Sequence, residues 1–120
     1  MTTLFPDSVL LIFCKAPVAG QVKTRLQPEL TALKAVAAYR QLTRLTLARA
    51  FQRPLCTVQL YCAPDTNHSF FEQCANDYPL LLSTQRGADL GERMLNAFRD
   101  ALSQYRYALL IGCDCPSPDG

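Results

Sequence analysis

The sequence has little of what several classes of protein require. It contains one histidine, and none of its six cysteines forms a CxxC pair, which argues against a zinc site. No apolar run approaches the roughly 20 residues that a bilayer-spanning helix needs, so we expect no membrane contact. The first seven residues carry no basic region ahead of an apolar segment, so no signal peptide is predicted. The formal net charge is only +2, so we expect no nucleic-acid-binding surface, and any cationic site must be local.

What is present suits one small domain. The chain has 120 residues, of which 49% are hydrophobic, enough to build a core. We therefore predict a single domain over residues 1–120. Several of the cysteines lie inside apolar strand candidates, where a free thiol behaves as a small hydrophobic side chain. These features predict a reduced, cytoplasmic protein.

The first strand candidate and the loop after it carry the clearest functional signal. Residues 9–14 form an unbroken apolar run typical of a strand buried on both faces. The loop that follows contains Lys15, Lys23 and Arg25, and Gly20 lets its main chain turn close to a ligand. Cations at the carboxyl end of a strand favour an anionic ligand such as a nucleotide diphosphate. The alternative is a solvated basic loop. The GxxxxGK[ST] spacing of a P-loop is absent.

The rest of the chain alternates between helix and strand patterns. We predict helices over about residues 29–52 and 67–76 and from Leu90 to Tyr105, and strands over residues 55–62, 80–83 and 107–111. An irregularity near Tyr39 could split the first helix in two. The last helix has a single apolar stripe, formed by Leu90, Met94, Ala97, Phe98, Ala101, Leu102 and Tyr105. The last strand is predicted to be buried.

Four strands separated by helices predict a three-layer α/β/α, Rossmann-like domain with a parallel sheet. The commonest doubly wound order would be 3-2-1-4, with strands one and four flanking the switch point. The loops that meet there carry Lys15 to Arg25 on one side and Asp114 on the other. A cation cluster facing a carboxylate is what a metal–diphosphate site requires.

Two further groups have both a structural and a functional interpretation. Asp114 could bind Mg²⁺ or Mn²⁺, or could be a turn aspartate; a transition metal between Cys113 and Cys115 is disfavoured because no histidine partners them. Asp89 is expected to cap the last helix, with Glu92 at its third position, and Asp89 or Arg93 could also contact a ligand. His68 is predicted to be an exposed or capping residue without chemistry.

At these residues a resemblance emerges. The segments KAPVAGQVKTRL, QRGADLGERM and IGCDCPS, in this order, resemble the DUF2064 family of GT-A-type glycosyltransferase-like proteins, which is related to the phospholactate and molybdenum-cofactor guanylyltransferases. The resemblance implies a nucleotide-diphospho-sugar transferase fold that binds a nucleotide or nucleotide-sugar. The nucleotide phosphates would be held by Lys15, Gly20, Lys23, Thr24 and Arg25 of the first loop, with Asp89 and Arg93 adding contacts. Asp114 would stand where the GT-A fold places its metal-binding aspartate, with Mg²⁺ or Mn²⁺ as cofactor.

Family members are longer than this sequence, so the resemblance implies a C-terminally truncated, donor-binding half. Strand four would then have an open edge that invites a homodimer or pairing with another chain. The leading prediction is a nucleotide-sugar-dependent glycosyltransferase-like protein with an acceptor that the motifs do not identify. One alternative is a guanylyltransferase-like nucleotidyltransferase acting on a phosphorylated small molecule. Another is an inactive nucleotide-binding remnant, or a subunit completed by another chain.

Overall fold

The fold is an alternation of four strands and three helices. The computed structural model describes residues 5–18, 32–52 and 56–113. Within them the elements are β1 (Ser8–Lys15), α1 (Ala32–Gln52), β2 (Thr57–Ala63), α2 (Ser69–Asp77), β3 (Leu81–Thr84), α3 (Leu90–Leu102) and β4 (Tyr107–Gly112). No helix of these residues combines the length and the apolar character that crossing a bilayer requires.

The strands form one parallel sheet in the order β3-β2-β1-β4, as predicted. β1 is central: its register with β2 ends with Lys15 opposite Ala63, and its register with β4 ends with Phe13 opposite Gly112. Apart from the half-buried Leu10, its apolar side chains are almost fully buried, which explains the unbroken apolar run. The α/β fold class is therefore confirmed, and β1 and β4 end side by side.

Helix α1 runs without interruption from Ala32 to Gln52, so the irregularity near Tyr39 does not split it. The irregularity in the apolar spacing is filled by Tyr39 itself, whose side chain is 1% exposed. Its hydroxyl oxygen accepts a hydrogen bond from the Lys15 backbone N–H at 2.7 Å. One helical turn later, the buried Thr43 hydroxyl donates to the Tyr39 carbonyl oxygen at 3.0 Å. The buried hydroxyl groups of Tyr39 and Thr43 therefore both have hydrogen-bond partners, and the bond between Tyr39 and Lys15 holds α1 against the end of β1.

Two hydrophobic clusters, one on each face of the sheet, hold the layers together. Helices α1 and α2 pack on one face, and α3 packs on the other through Ala97 and Ala101. The predicted capping role of His68 is confirmed, because its Nδ1 accepts a hydrogen bond from the Phe70 backbone N–H. The predicted α3 stripe is correct at its centre, but Leu90 and Leu102, at the two ends of the helix, are 62% and 52% exposed. The ends of α3 therefore extend beyond the surface that buries its middle.

Strand β4 is less buried than predicted. Tyr107, Leu109 and Ile111 are 60%, 67% and 41% exposed, although Ala108 and Leu110 pack against the α3 cluster. The difference arises because β4 is the edge strand, and within the described residues only its α3 face is covered. A cleft of about 610 Å³ lies between α1 and the uncovered face of β4, and Leu42 is among its lining residues. Pairing of this edge with another chain stays a prediction.

Two of the cysteines predicted to be free are joined instead. Cys14 and Cys113 form a disulfide, with their Cα atoms 5.7 Å apart. The β1–β4 register explains the pairing, because Phe13 lies opposite Gly112 and the next residue on each strand is a cysteine. In the described part of the chain the remaining thiols, those of Cys56, Cys62 and Cys74, are free as predicted.

Candidate functional site

A cleft of about 550 Å³ opens at the carboxyl ends of β1 and β4, beside the start of α3. This is the position at which open α/β sheets bind ligands, and the volume lies within the roughly 300–1,000 Å³ of typical ligand sites. A smaller cleft of about 240 Å³ adjoins it. The larger cleft is lined by Phe13, Cys14, Lys15, Tyr39, Gln85, Ala88, Asp89, Leu90, Arg93, Met94, Leu110 and Gly112.

Two cationic side chains line both clefts, Lys15 and Arg93. Lys15 is exposed at the last position of β1, and Arg93 is half-buried in the first turn of α3. The Arg93 Nε donates a hydrogen bond to the Gly87 carbonyl oxygen at 3.0 Å, which orients the guanidinium group. The structure therefore brings two cations from distant parts of the sequence to one cleft, and charged donors of this kind suit an anionic ligand.

The loop before α3 begins the helix with a full set of local hydrogen bonds. The Asp89 Oδ1 accepts from the Glu92 backbone N–H at 2.8 Å, so the predicted N-cap is confirmed. The Glu92 Oε1 accepts in return from the Ala88 backbone N–H at 3.3 Å. Asp89 lines the cleft with one oxygen already engaged in capping, and its predicted contact with a ligand stays a prediction.

The same loop depends on a glycine. Gly87 has φ +146°, and a Cβ placed there would lie 2.7 Å from the Arg93 backbone nitrogen. We expect Gly87→Ala to lower the free energy of unfolding by about 1–3 kcal/mol, because it combines backbone strain with a backbone clash. Urea unfolding followed by far-UV circular dichroism measures this loss.

Gly91, four residues along, is the matched control. A Cβ at Gly91 would meet the Asp89 Oδ1 at an ordinary 3.5 Å, and the residue is helical. Gly91→Ala should therefore leave stability unchanged or raise it by about 0.5–1 kcal/mol. Equal stability of the two variants would contradict the role assigned to Gly87.

Gln85 is a structural residue of the cleft that sequence reasoning missed. Its Nε2 donates to the carbonyl oxygens of Cys14 at 3.1 Å and Tyr61 at 2.9 Å, so one side chain joins the ends of β1 and β2. Its backbone N–H donates to the Cys62 carbonyl oxygen at 2.9 Å. The only sequence signal was a polar residue directly after a strand. The amide fixes the floor of the cleft and holds the α3 loop against the sheet.

Five predicted site residues, namely Gly20, Lys23, Thr24, Arg25 and Asp114, lie outside the described residues. The structure fixes where their segments begin. The Cys113 backbone N–H donates to the Phe13 carbonyl oxygen at 3.1 Å, continuing the β1–β4 pairing up to the residue before Asp114. On the neighbouring strand, Lys15 leads to Val18, the last described residue before the basic segment. The basic segment and the segment that contains Asp114 therefore follow two adjacent strands, β1 and β4, at the carboxyl end of the sheet.

The described residues do not form a metal site by themselves. Across residues 5–18, 32–52 and 56–113, no three His, Cys, Asp or Glu side chains are grouped so that they could hold a metal ion. Asp89, the acidic residue of the cleft lining, has an oxygen committed to the α3 cap. Asp114 therefore remains the candidate ligand, and oxygen ligands are those that Mg²⁺ prefers.

Comparison with known proteins supplies one structural relative and one family. No curated protein matches the chain. The chain is similar to a crystal structure from Desulfovibrio desulfuricans G20 named "putative nucleotide-diphospho-sugar transferase", with a TM-score of 0.76, 28% sequence identity and 94% of this chain covered. The chain spans 49% of that relative's length. Residues 46–119, more than half of the sequence, match the family described as "Uncharacterized protein conserved in bacteria (DUF2064)", and the chain belongs to that family.

Proposed function

We propose that this chain binds the nucleoside diphosphate portion of a nucleotide-sugar in the β1–β4 cleft and acts as the donor-binding part of a nucleotide-diphospho-sugar transferase. The observation that carries the proposal is that Lys15, at the carboxyl end of β1, and Arg93, in the first turn of α3, line one cleft beside the end of β4. Support comes from the relative named "putative nucleotide-diphospho-sugar transferase", which shares this fold over 94% of the chain.

Charge at the cleft favours a diphosphate over a neutral ligand. Arg93 and Lys15 line the same opening, and Lys23 and Arg25 belong to the segment that follows β1. Guanidinium groups suit phosphate because their paired N–H donors match two phosphate oxygens.

In the proposed reaction the side chains bind and position the leaving group. Lys15, Arg93 and the cations of residues 19–31 would neutralise the negative charge that develops on the diphosphate as the sugar departs. Asp114, with phosphate oxygens, would hold Mg²⁺ or Mn²⁺, which supplies further charge stabilisation when bound. Gln85 and Gly87 keep the cleft wall in place through the contacts described above.

Charge reversal tests the proposed binding surface. We expect Lys15→Glu, Lys23→Glu and Arg25→Glu each to weaken the affinity for UDP or GDP by about tenfold or more, because one charge-assisted hydrogen bond contributes roughly 1.5–3 kcal/mol. The variants should also show a smaller loss of affinity as salt is added. Isothermal titration with each diphosphate in the presence of Mn²⁺ measures both effects.

The matched control is Arg99→Glu, which reverses an exposed charge in the last turn of α3, away from the helix end that lines the cleft. It should bind like the parent chain. If the Lys15, Lys23 and Arg25 variants also bind like the parent, the basic loop is only solvated surface. If the parent binds neither diphosphate, the chain is not a donor-binding unit.

A further inference from the structure

We propose that Cys14 and Cys113 are a reversible thiol–disulfide pair whose oxidation locks the end of β4 to the end of β1 and so orders the candidate site. Its effect on nucleotide affinity rests on the proposed function. The pairing itself rests on the geometry of the two strands alone.

The geometry favours this pair. The cysteines occupy neighbouring positions just past the last registered pair of β1 and β4, with Cα atoms 5.7 Å apart. Disulfides span Cα separations of about 4.4–6.8 Å, and this pair lies within that range. The hydrogen bond from the Cys113 N–H to the Phe13 carbonyl oxygen holds the two strand ends in this register.

The location connects the bond to the site. Cys14 directly precedes Lys15, and Cys113 directly precedes Asp114. A covalent link between them therefore fixes the origins of both charged segments relative to each other. In the dithiol form the end of β4, an edge strand, relies in the described part of the chain on its β1 ladder and the α3 packing. Such an end is where a sheet frays most easily.

The route to the sulfur atoms suits small molecules. Cys14 lines the site cleft and Cys113 lines the cleft between α1 and β4, yet each residue is at most 2% exposed. A protein oxidoreductase would not reach them without opening the sheet. We therefore assign the exchange partner to the class of low-molecular-weight thiols and disulfides, for which glutathione is the probe.

The exchange balances as a two-electron reaction. One cysteine thiolate attacks oxidised glutathione, forms a mixed disulfide and releases one glutathione thiolate. The second cysteine thiolate attacks the protein sulfur of that mixed disulfide, forms the Cys14–Cys113 bond and releases the second glutathione. The two cysteines lose two electrons to oxidised glutathione, and their two protons end on the two glutathione molecules.

The other described cysteines, Cys56, Cys62 and Cys74, are free thiols. Burial raises the pKa of the Cys62 thiol to about 12 and also raises the pKa of Cys74. Cys56 is half-buried and serves as a free-thiol control.

The experiment equilibrates the chain in glutathione buffers from fully reducing to fully oxidising, then quenches with acid and alkylates the free thiols. Mass spectrometry of proteolytic fragments should show one protein disulfide, between Cys14 and Cys113, formed and lost reversibly as the glutathione ratio changes. Hydrogen exchange at the Cys113 amide should be slower in the oxidised form. Absence of this cross-link, or a link from Cys14 to Cys115 in its place, would overturn the proposal.

Binding supplies the functional readout. Reduction should weaken Mn²⁺-dependent GDP affinity by about fivefold, a usual size of coupling between two sites. Cys14→Ser and Cys113→Ser should each bind as the reduced form does and ignore the glutathione ratio, whereas Cys56→Ser should behave like the parent. If the disulfide forms under oxidising conditions but the reduced and oxidised forms bind GDP equally well, the bond does not control the site, and that part of the proposal is overturned. If GDP binds neither form, the proposed function fails, and the Cys113 amide exchange alone then decides whether the bond orders β4.

Discussion

Replacing Asp114 with asparagine is expected to abolish metal-dependent nucleotide binding while leaving the stability of the fold unchanged. The hydrogen-bonded pairing of β4 with β1 continues to Cys113, beside the cleft that Lys15 and Arg93 line, and Asp114 is the next residue in the sequence. Asparagine keeps the shape of the side chain but removes the charge that a hard divalent cation requires. We expect the gain in diphosphate affinity on adding Mn²⁺ to fall from about tenfold or more to none, since one charge-assisted contact is worth roughly 1.5–3 kcal/mol.

Isothermal titration of UDP and GDP, with Mn²⁺ or with a chelator, measures this effect. Asp119→Asn is the matched control, because it removes a carboxylate from the same C-terminal segment five residues later. It should retain the metal dependence. Undiminished Mn²⁺ dependence in Asp114→Asn would reject the metal-binding role.

Alkaline pH is expected to destabilise the fold through Cys62. This thiol is fully buried near the carboxyl end of β2, and burial raises its pKa from 9.0 to about 12. The folded state therefore resists ionisation that the unfolded state undergoes freely. The stabilisation from the neutral thiol is fully present below pH 9 and is lost as the pH rises toward 12. Between pH 8 and pH 10.5 the loss should reach about 2 kcal/mol, given roughly 1.4 kcal/mol per pKa unit.

The comparison with Cys62→Ala isolates this contribution from the lysines and tyrosines that titrate in both proteins. Urea unfolding at pH 8 and pH 10.5, followed by circular dichroism, gives the stability difference between parent and variant. That difference should shift by about 2 kcal/mol in favour of the alanine variant at the higher pH. A difference that is independent of pH would show that the thiol is not protected from ionisation in the folded state.

The parts of the fold that follow from local pattern were predictable. The unbroken apolar run predicted β1 as a central strand, and the apolar stripe of α3 predicted its buried centre at Ala97 and Ala101. Alternation of strands and helices led to the sheet order, because parallel crossovers leave few arrangements. These features depend on the spacing of side chains along one element, which the sequence contains in full.

The features that were wrong or missed depend on neighbours distant in sequence. The β4 sequence is as apolar as that of a buried strand, but its exposure is set by which helices cover it. The Cys14–Cys113 pair requires the β1–β4 register, and the buried Tyr39 hydroxyl of α1 finds its hydrogen-bond partner in the Lys15 backbone of β1. None of these partners is visible in the local sequence.

The candidate site was likewise predicted where the signal is local in sequence and missed where it depends on distant residues. Charged residues placed directly after strands identified Lys15, and a helix start identified Asp89 and Arg93; the structure brings all three to one cleft. Gln85 was missed because its role is to link two carbonyl oxygens on different strands. The roles of the first-loop residues and of Asp114 stay predictions.

The most direct test is to locate a bound Mn²⁺–GDP complex by the paramagnetic broadening of backbone amide signals in a nuclear magnetic resonance spectrum. The account predicts the strongest broadening at Lys15, Gly112 and Cys113, where β1 and β4 end. Ser8 and Tyr107, paired at the opposite ends of the same strands, should broaden least. Broadening centred on the strand starts, or none in the presence of saturating Mn²⁺ and GDP, would contradict the proposal that the two loops form one diphosphate site.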